Sequence, residues 1–394
     1  MSKIDELVAK LCPDGVEYKK LGEMGTFTRG SGIQKKDFVP EGEPCIHYGQ
    51  LYTYYGLSAT QTMSFITPEL YKKRKKAQPG DLVIATTSEN EEDVCKAVAW
   101  LGDKPCAVSG DAYIYSHNQN PKYVSYLYQS QLFQDQKKRY ITGTKVLRVN
   151  GEAMSRIEMP FPPLEIQQEI VRVLDSFAEL EAELEAELEA RKAQYAHYRD
   201  KLLEFTERES VSWLKLGEVL HMKAGKHISS SMIAATRSPT FPYACYGGNG
   251  MRGFVAQPNA EGSKVLIGRQ GALCGNVCMA SGEFYATEHA VVSTCDARLI
   301  PRFAYHMLVA ANLNQYKSQG AQPGLAVSRL NDIVVPVPSL SEQRRIVEIL
   351  DRFDALTTSI TDGLPAEIEA RRQQYEHYRD RLLDLPRREA RLTA

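Results

Sequence analysis

The sequence predicts an α+β protein. Two mixed, β-rich domains are separated by two long helices, which pair as an antiparallel coiled coil with pseudo-two-fold symmetry. Three observations carry this expectation. The segment "EARKAQYAHYRDKLLEF" (189–205) returns as "EARRQQYEHYRDRLLDL" (369–385), with eleven identical positions and three exchanges of Lys for Arg or Glu for Asp. Upstream of both copies, apolar residues recur at three- and four-residue steps, the period of a helix. The stretches between are rich in Gly, Tyr and β-branched runs such as "GDLVIATT" and "SKVLIG", a pattern of irregular β structure. A repeat of this size organises the whole chain.

Taken in order, the elements fall into four parts: 1–155, 156–210, 211–335 and 336–394. The first and third parts begin alike. Val16, Lys20, Leu21, Gly22, Glu23, Gly30 and Ile33 recur as Val211, Lys215, Leu216, Gly217, Glu218, Gly225 and Ile228. After that they diverge, except that "PKYVSYLYQSQLFQDQKKRY" (121–140) and "PRFAYHMLVAANLNQYKSQG" (301–320) read as a matching helix. The second and fourth parts repeat from near their starts. "PFPPLEIQQEIVRVLDSF" (160–177) matches "PVPSLSEQRRIVEILDRF" (336–353), including Gln167 with Gln343 and Asp175 with Asp351. The prolines stand before the helix, where a missing N–H costs least. Ser339 and Glu342 have the spacing of a capping box.

The first long helix, from about Leu164 to Phe205, would reach ~60 Å at 1.5 Å per residue. A stem of that length needs a partner for its apolar face. The duplicated residues Leu174, Phe177, Tyr195 and Tyr198, with Leu350, Phe353, Tyr375 and Tyr378, are expected either in the stem–stem seam or against a protein that meets both copies. Residues 178–189 spell AELE three times. One such unit adds ~6 Å of helix and ~40° of residual rotation, against ~3.4 Å and ~34–36° for a base pair. A solvated, Glu-rich helix surface is the alternative. In the second copy "TDGLPAEIE" places Gly363 and Pro365 inside the pattern, so a break is expected near 362–365.

Composition excludes several classes. The net charge is −1, but the first and third parts together carry +7 and the two helical parts −8. That split keeps nucleic acid open as a ligand of the irregular domains. No stretch approaches the ~20 apolar residues of a membrane span. The first fifteen residues lack a signal peptide's apolar run. Eight cysteines are scattered without a CxxC pair, which suits reduced thiols and a cytoplasmic setting.

Catalytic signatures are also missing. There is no GxxxxGK[ST] phosphate loop and no [DNS]PP[YFW] tetrapeptide of the kind adenine methyltransferases use to hold a flipped base. "FPPL" (161–164) is a helix start. "FTRGSG" (27–32) lacks the strand–helix frame of a cofactor loop. "PDGVEYK" (13–19) mimics a nuclease motif, but its acids stand too close together and it reads as a turn. His47, His227 and His289 show neither metal-ligand spacing nor a nucleophile partner. The expectation is no catalytic residue, no metal and no resident cofactor.

At this point the sequence resembles the specificity subunit of type I restriction–modification systems over its whole length. The resemblance rests on "PLEIQQEIVRVLD", "EQRRIVEILD", the paired "EARKAQYAHYRDKLL" and "EARRQQYEHYRDRLL", the tetrapeptides and "GLPAEIEARR". Inside the domains it rests on "IHYGQLYTYYG", "ATTSENEEDV", "YGGNGMRGF" and "RQGALCGNV". The first copy departs by carrying AELE units where the second has "GLPAEI". The resemblance implies two target-recognition domains, each reading half of a split double-stranded DNA target. It also implies two methyltransferase subunits that methylate adenine N6, and added restriction/translocase subunits. S-adenosylmethionine, ATP and Mg would be held by those partners. A coiled-coil adaptor with two protein-binding heads and no DNA role is the competing reading.

Base readout needs Arg, Lys, Asn and Gln on groove-facing loops, and phosphate contact needs cations and backbone N–H groups. The candidates in the first domain are Lys35, Lys36, Tyr48, Gln50, Tyr52 and Tyr54, with the basic run "KKRKK" (72–76). In the second they are Lys226, Tyr246, Asn249, Arg252, Arg269 and Gln270, where glycines 247, 248 and 250 would let backbone approach a duplex.

Overall fold

The computed structural model describes residues 2–205, 211–271, 273–318, 323–358 and 363–388. Two compact units divide it: Met1–Glu183 with Glu369–Ala394, and Leu184–Ile368. Each unit therefore holds one β-rich head, one end of the first stem and one end of the second.

The head of the first unit has two main sheets. A five-stranded sheet runs in the order Gly25–Arg29, Ala112–His117, Leu82–Ala85, Ala97–Trp100 and Ser58–Ala59. A four-stranded sheet runs Ser64–Ile66, Glu43–Ile46, Cys106–Val108 and Lys76–Ala77, with its central pair parallel. The run "LVIA" (82–85) is buried at every position. That is why it is uniformly apolar and not alternating: the sheet is covered on both faces. Tyr18–Lys20 pairs with Glu158–Pro160, joining the head's entry strand to the chain just before the stem.

The head of the second unit repeats the plan. One four-stranded sheet runs Leu220–Ala224, Ala290–Cys295, Lys264–Gly268 and Val277–Ala280; the other runs Gly250–Val255, Tyr243–Gly247, Glu283–Ala286 and Ala260–Glu261. Ser212–Lys215 pairs with Val334–Val337 as the entry strand does in the first unit.

The backbone frame is the same in detail. Gly30 N–H donates to the Ala112 carbonyl, and Gly225 to that of Ala290, both at 2.9 Å. Ser31 donates to Val108, and Lys226 to Ala286. Ser109 donates to Ile46, and Thr287 to Tyr246; Thr86 donates to Asp111, and Arg269 to His289. Cys95 has φ +71 where Gly275 has φ +91, and each N–H bonds back to the matching residue, Ala85 or Gly268. A left-handed turn is thus kept in both heads, although only one supplies the glycine that suits it.

The first stem is one uninterrupted helix of 40 residues, Leu164–Leu203. The AELE units lie inside it. Half-buried positions Phe177, Leu180, Leu184, Leu188 and Arg191 trace a seam with three- and four-residue steps along it. The second stem has two described pieces, Leu340–Thr358 and Leu364–Leu383. Part of the expected break, residues 359–362, lies outside the described residues. Gly363 is non-helical and Pro365 sits at the second position of the new helix, where its missing N–H is harmless. Ser339 Oγ accepts from Glu342 N–H at 3.3 Å, but the Glu342 carboxylate turns to Arg345 instead of back to the cap. Half of the expected capping box is formed.

The expected matching helix over 121–140 is shorter. It ends at Gln129, because Ser130 is extended and its hydroxyl caps a new helix, Gln131–Lys137, through Phe133 N–H. Its counterpart, Pro301–Ala310, ends before Asn312, which has φ +44. Residues 319–322 of that expected segment lie outside the described residues.

In the first unit the chain's last described residues return beside its start. Val16 N–H donates to the Pro386 carbonyl at 2.7 Å and Arg388 N–H to the Val16 carbonyl at 2.9 Å. Tyr18 donates to the Leu385 carbonyl, and Arg387 lies over the Tyr18 ring. The turn at Asp14–Gly15 needs glycine, since a Cβ there would stand 2.7 Å from Arg388 N at φ +93. "PDGVEYK" is accordingly a turn and strand start.

Candidate nucleic-acid interface

The helical ends of each unit pair the two copies of the repeat. In the first unit Phe177 stacks on Tyr378, with centroids 5.6 Å apart and planes 24° apart, and Tyr375 lies 6.5 Å from Phe177. Arg372 pairs with Glu181 at 2.7 Å. Moving from Phe177 to Glu181 thus moves from Tyr378 back to Arg372, which is antiparallel pairing. In the second unit Tyr198 stacks on Phe353 at 5.4 Å and 20°. Each unit therefore takes its Phe from one copy of the repeat and its Tyr from the other.

Leu174 and Leu350 are fully buried at the matching positions of the two cores. Tyr195 and Tyr375 lean inward against the heads. Burial raises both phenols, that of Tyr375 to about 12. Tyr375 donates to Gln129 at 3.3 Å, and Tyr195 contacts His306 Nδ1 at 3.0 Å.

Two duplicated polar residues fasten each head to its stem. Gln167 is fully buried; its amide donates to the Pro162 carbonyl and to Gln119, and its oxygen accepts from Asn120 N–H. Gln343, also fully buried, donates to the carbonyls of Pro338 and Arg298 and accepts from Ile300 N–H. Asp175 receives Lys122 at 2.7 Å and Tyr126 at 2.8 Å. Asp351 receives Arg302 at 2.7 Å and His306 Nε2 at 2.7 Å. Burial depresses the His306 pKa, which favours a neutral ring that donates from Nε2 and accepts from Tyr195 at Nδ1. Sequence reading noted these four stem residues as repeat identities only. A Gln and an Asp kept between two drifting helices were the available signal.

The heads differ where loops gather at the strand ends. In the second unit Gly268 packs against Gly248, a Cβ on Gly268 reaching to 1.8 Å of the Gly248 carbonyl oxygen. This close approach sets Arg269 and Gln270 beside the hairpin tip. Asn276 reaches Asn249 at 3.4 Å across the same tip. Lys226, Asn249, Arg252 and Gln270 are exposed. Arg269 is half-buried, and its Nε is buried without a hydrogen-bond partner. Tyr246 packs edge-on against Phe284 at 5.8 Å and belongs partly to the core. His227 and His289 flank Glu288 at 2.9 and 3.3 Å. Among the described residues no group of three or more His, Cys, Asp or Glu is placed to hold a metal.

In the first unit the sequence-chosen residues fare unevenly. Lys35 and Lys36 are exposed on a single 3-10 turn, and Tyr54 is 64% exposed. Tyr48 and Tyr52 pack on the core, and the Tyr52 hydroxyl donates to the Thr87 carbonyl. Gln50 is held at both ends, accepting from His47 N–H at 3.0 Å and donating to Ser64 at 2.6 Å. These three side chains shape the loop from within. The run "KKRKK" is likewise mixed, with Lys76 lying over the Tyr71 ring and Arg74 half-buried.

Sequence reading missed the frame partners of Arg269 and His289. Those positions are Thr86 and Asp111, which line a recess of about 210 Å³ with Arg29, Tyr113 and Arg148 among others. Nothing in the sequence pointed to them, because the two heads share almost no identity there.

The family model described as Type I restriction modification DNA specificity domain matches residues 13–190 and 209–370, one copy per half. The specificity subunit of the type I restriction enzyme EcoprrI of Escherichia coli is 52% identical over 208 residues, covering 52% of this chain and 52% of its own length. The EcoR124I/EcoR124II specificity subunit of the same species is 33% identical over 293 residues, covering 61% of this chain and 66% of its own. The alignments thus span about half to two thirds of these relatives. The crystal structure of a type I restriction–modification S subunit from M. genitalium shares the fold, with a TM-score of 0.58 at 17% identity over 93% of this chain and 96% of that one.

Proposed function

The chain belongs to the family of type I restriction–modification specificity subunits, and from that premise we propose that it is the DNA-reading subunit of such a complex. Each head reads one half of a bipartite double-stranded target. The stems set the spacer between the halves and carry two methyltransferase subunits, which methylate adenine N6. Restriction/translocase subunits join the same assembly. The chain itself performs no chemistry; S-adenosylmethionine, ATP and Mg belong to its partners.

The observation that carries this reading is the pairing of one backbone frame with two unlike sets of side chains. Ser31, Thr86 and Asp111 of one head stand where Lys226, Arg269 and His289 stand in the other. The exposed stem surface does the opposite: His197 and Tyr198 match His377 and Tyr378. Variable faces suit two different half-sites, and constant stems suit two copies of one partner. The test is co-expression with the cognate methyltransferase followed by mapping of methyladenine across host DNA. A split motif with a fixed spacer is expected. Methyl transfer by this chain alone would overturn the reading.

A further inference from the structure

The recess in the first head holds an arginine anchored to the backbone of a neighbouring turn. Arg29 ends the edge strand Gly25–Arg29. Its Nε donates to the Gly110 carbonyl at 2.8 Å, and its Nη2 lies 3.6 Å from Asp111 Oδ1. Even so, 63% of the side chain stays exposed, and 43% of Asp111. The next residue, Gly30, cannot carry a side chain: its Cβ would stand 2.1 Å from the Ser109 carbonyl oxygen. The strand end is thereby pressed onto the 109–111 turn that braces the guanidinium. A solvated surface ion pair has neither the backbone anchor nor the forced approach.

The recess also lies on the frame positions at which the two heads diverge. The second head has Ala224 where the first has Arg29, and carries its guanidinium from Arg269 instead, the counterpart of Thr86. Both heads thus present an arginine on this face from different stations, as readers of different sequences would. An arginine held by its Nε keeps the Nη edge for two acceptors. In a major groove, the O6 and N7 of guanine are the base atoms that supply them.

Resting on the functional reading above, we propose that Arg29 is a specificity determinant of the first half-site and reads a guanine, with Asp111 as its positioning residue. Phosphate is the weaker ligand for this pair, because Asp111 stands beside the contact and repels it.

The test uses the full complex with its methyltransferase and reads methyladenine motifs across host DNA. Wild type is expected to mark a split motif with a guanine–cytosine pair in the first half. Arg29→Ala and Arg29→Lys should relax preference at that one pair by about tenfold or more, leaving the second half and the spacer unchanged. Asp111→Asn should loosen the same pair less, and no other; a merely structural role would not act on a single base. An unchanged first half in Arg29→Ala, or a uniform fall in methylation with the motif intact, overturns the assignment. If Arg29→Ala fails to assemble, Arg29→Lys decides on the same criteria. Absence of any split motif in wild type overturns the functional reading as well, so the two failures are distinguishable.

Discussion

At the residue scale, the most informative groups are polar and buried. Gln167 and Gln343 each answer backbone groups at the mouth of a stem. Removing either amide leaves a half-buried N–H and at least one buried carbonyl without partners. Gln167→Ala and Gln343→Ala should each destabilise their own unit by about 2–4 kcal/mol, read by chemical denaturation with hydrogen exchange to locate the loss.

His117 gives a pH prediction. Burial lowers its pKa to about 4 from 6.5, and its Nε2 is buried without a partner. The unfolded chain therefore binds a proton near pH 6.5 that the folded head refuses until about pH 4. Stability of the first unit should fall as pH drops through that window, and His117→Gln should flatten the slope. An equal slope in the variant would show that another group carries it.

At the element scale, the first stem is a single helix through all three AELE units. Removing one unit shortens it by ~6 Å and turns one end by ~40°. With DNA rising ~3.4 Å and turning ~34–36° per pair, the deletion should shorten the preferred spacer by about one base pair and leave both half-sites as they were. Motif mapping reads this directly, and an unmoved spacer would reduce the tetrapeptides to solvated surface. Ala186→Pro, inside the same run, should cost at least about 3 kcal/mol and abolish a fixed spacer without altering what either head reads.

The helices were also the most legible elements. Periodicity and repetition placed the end of the first stem within two residues of the observed Leu203, and the Phe–Tyr stacks use aromatic residues singled out from the repeat. The head faces were far less legible. Tyr48, Gln50 and Tyr52 carry the right chemistry for base contact, yet their hydrogen bonds and packing run inward. Arg29 and Asp111 meet only because strands 25–29 and 112–117 pair, a contact between residues 82 positions apart in sequence. Local pattern cannot report such pairs, whereas helical period is local by nature.

At the scale of the whole molecule, the exchange of stem ends sets which parts must coexist. Phe177 lacks its stacking partner unless Tyr378 is present, and Val16 lacks its pairing partner without residues 386–388. A chain ending at residue 368 should therefore lose cooperative unfolding of the first unit while the second persists; equal loss in both would contradict the division. DNA affinity of the intact complex should fall linearly in log–log form with salt, with a slope near −0.9 per phosphate neutralised.

The pairing of Val16 with the segment near Arg388 also fixes an order of events during synthesis. Everything the second unit needs has left the ribosome once residue 368 emerges. The first unit, though its head is translated before the second's, waits for residues 369–388. The usual N-to-C sequence of domain maturation is thus inverted, and a nascent chain would lack the clasp on its first head until residues 369–388 had followed.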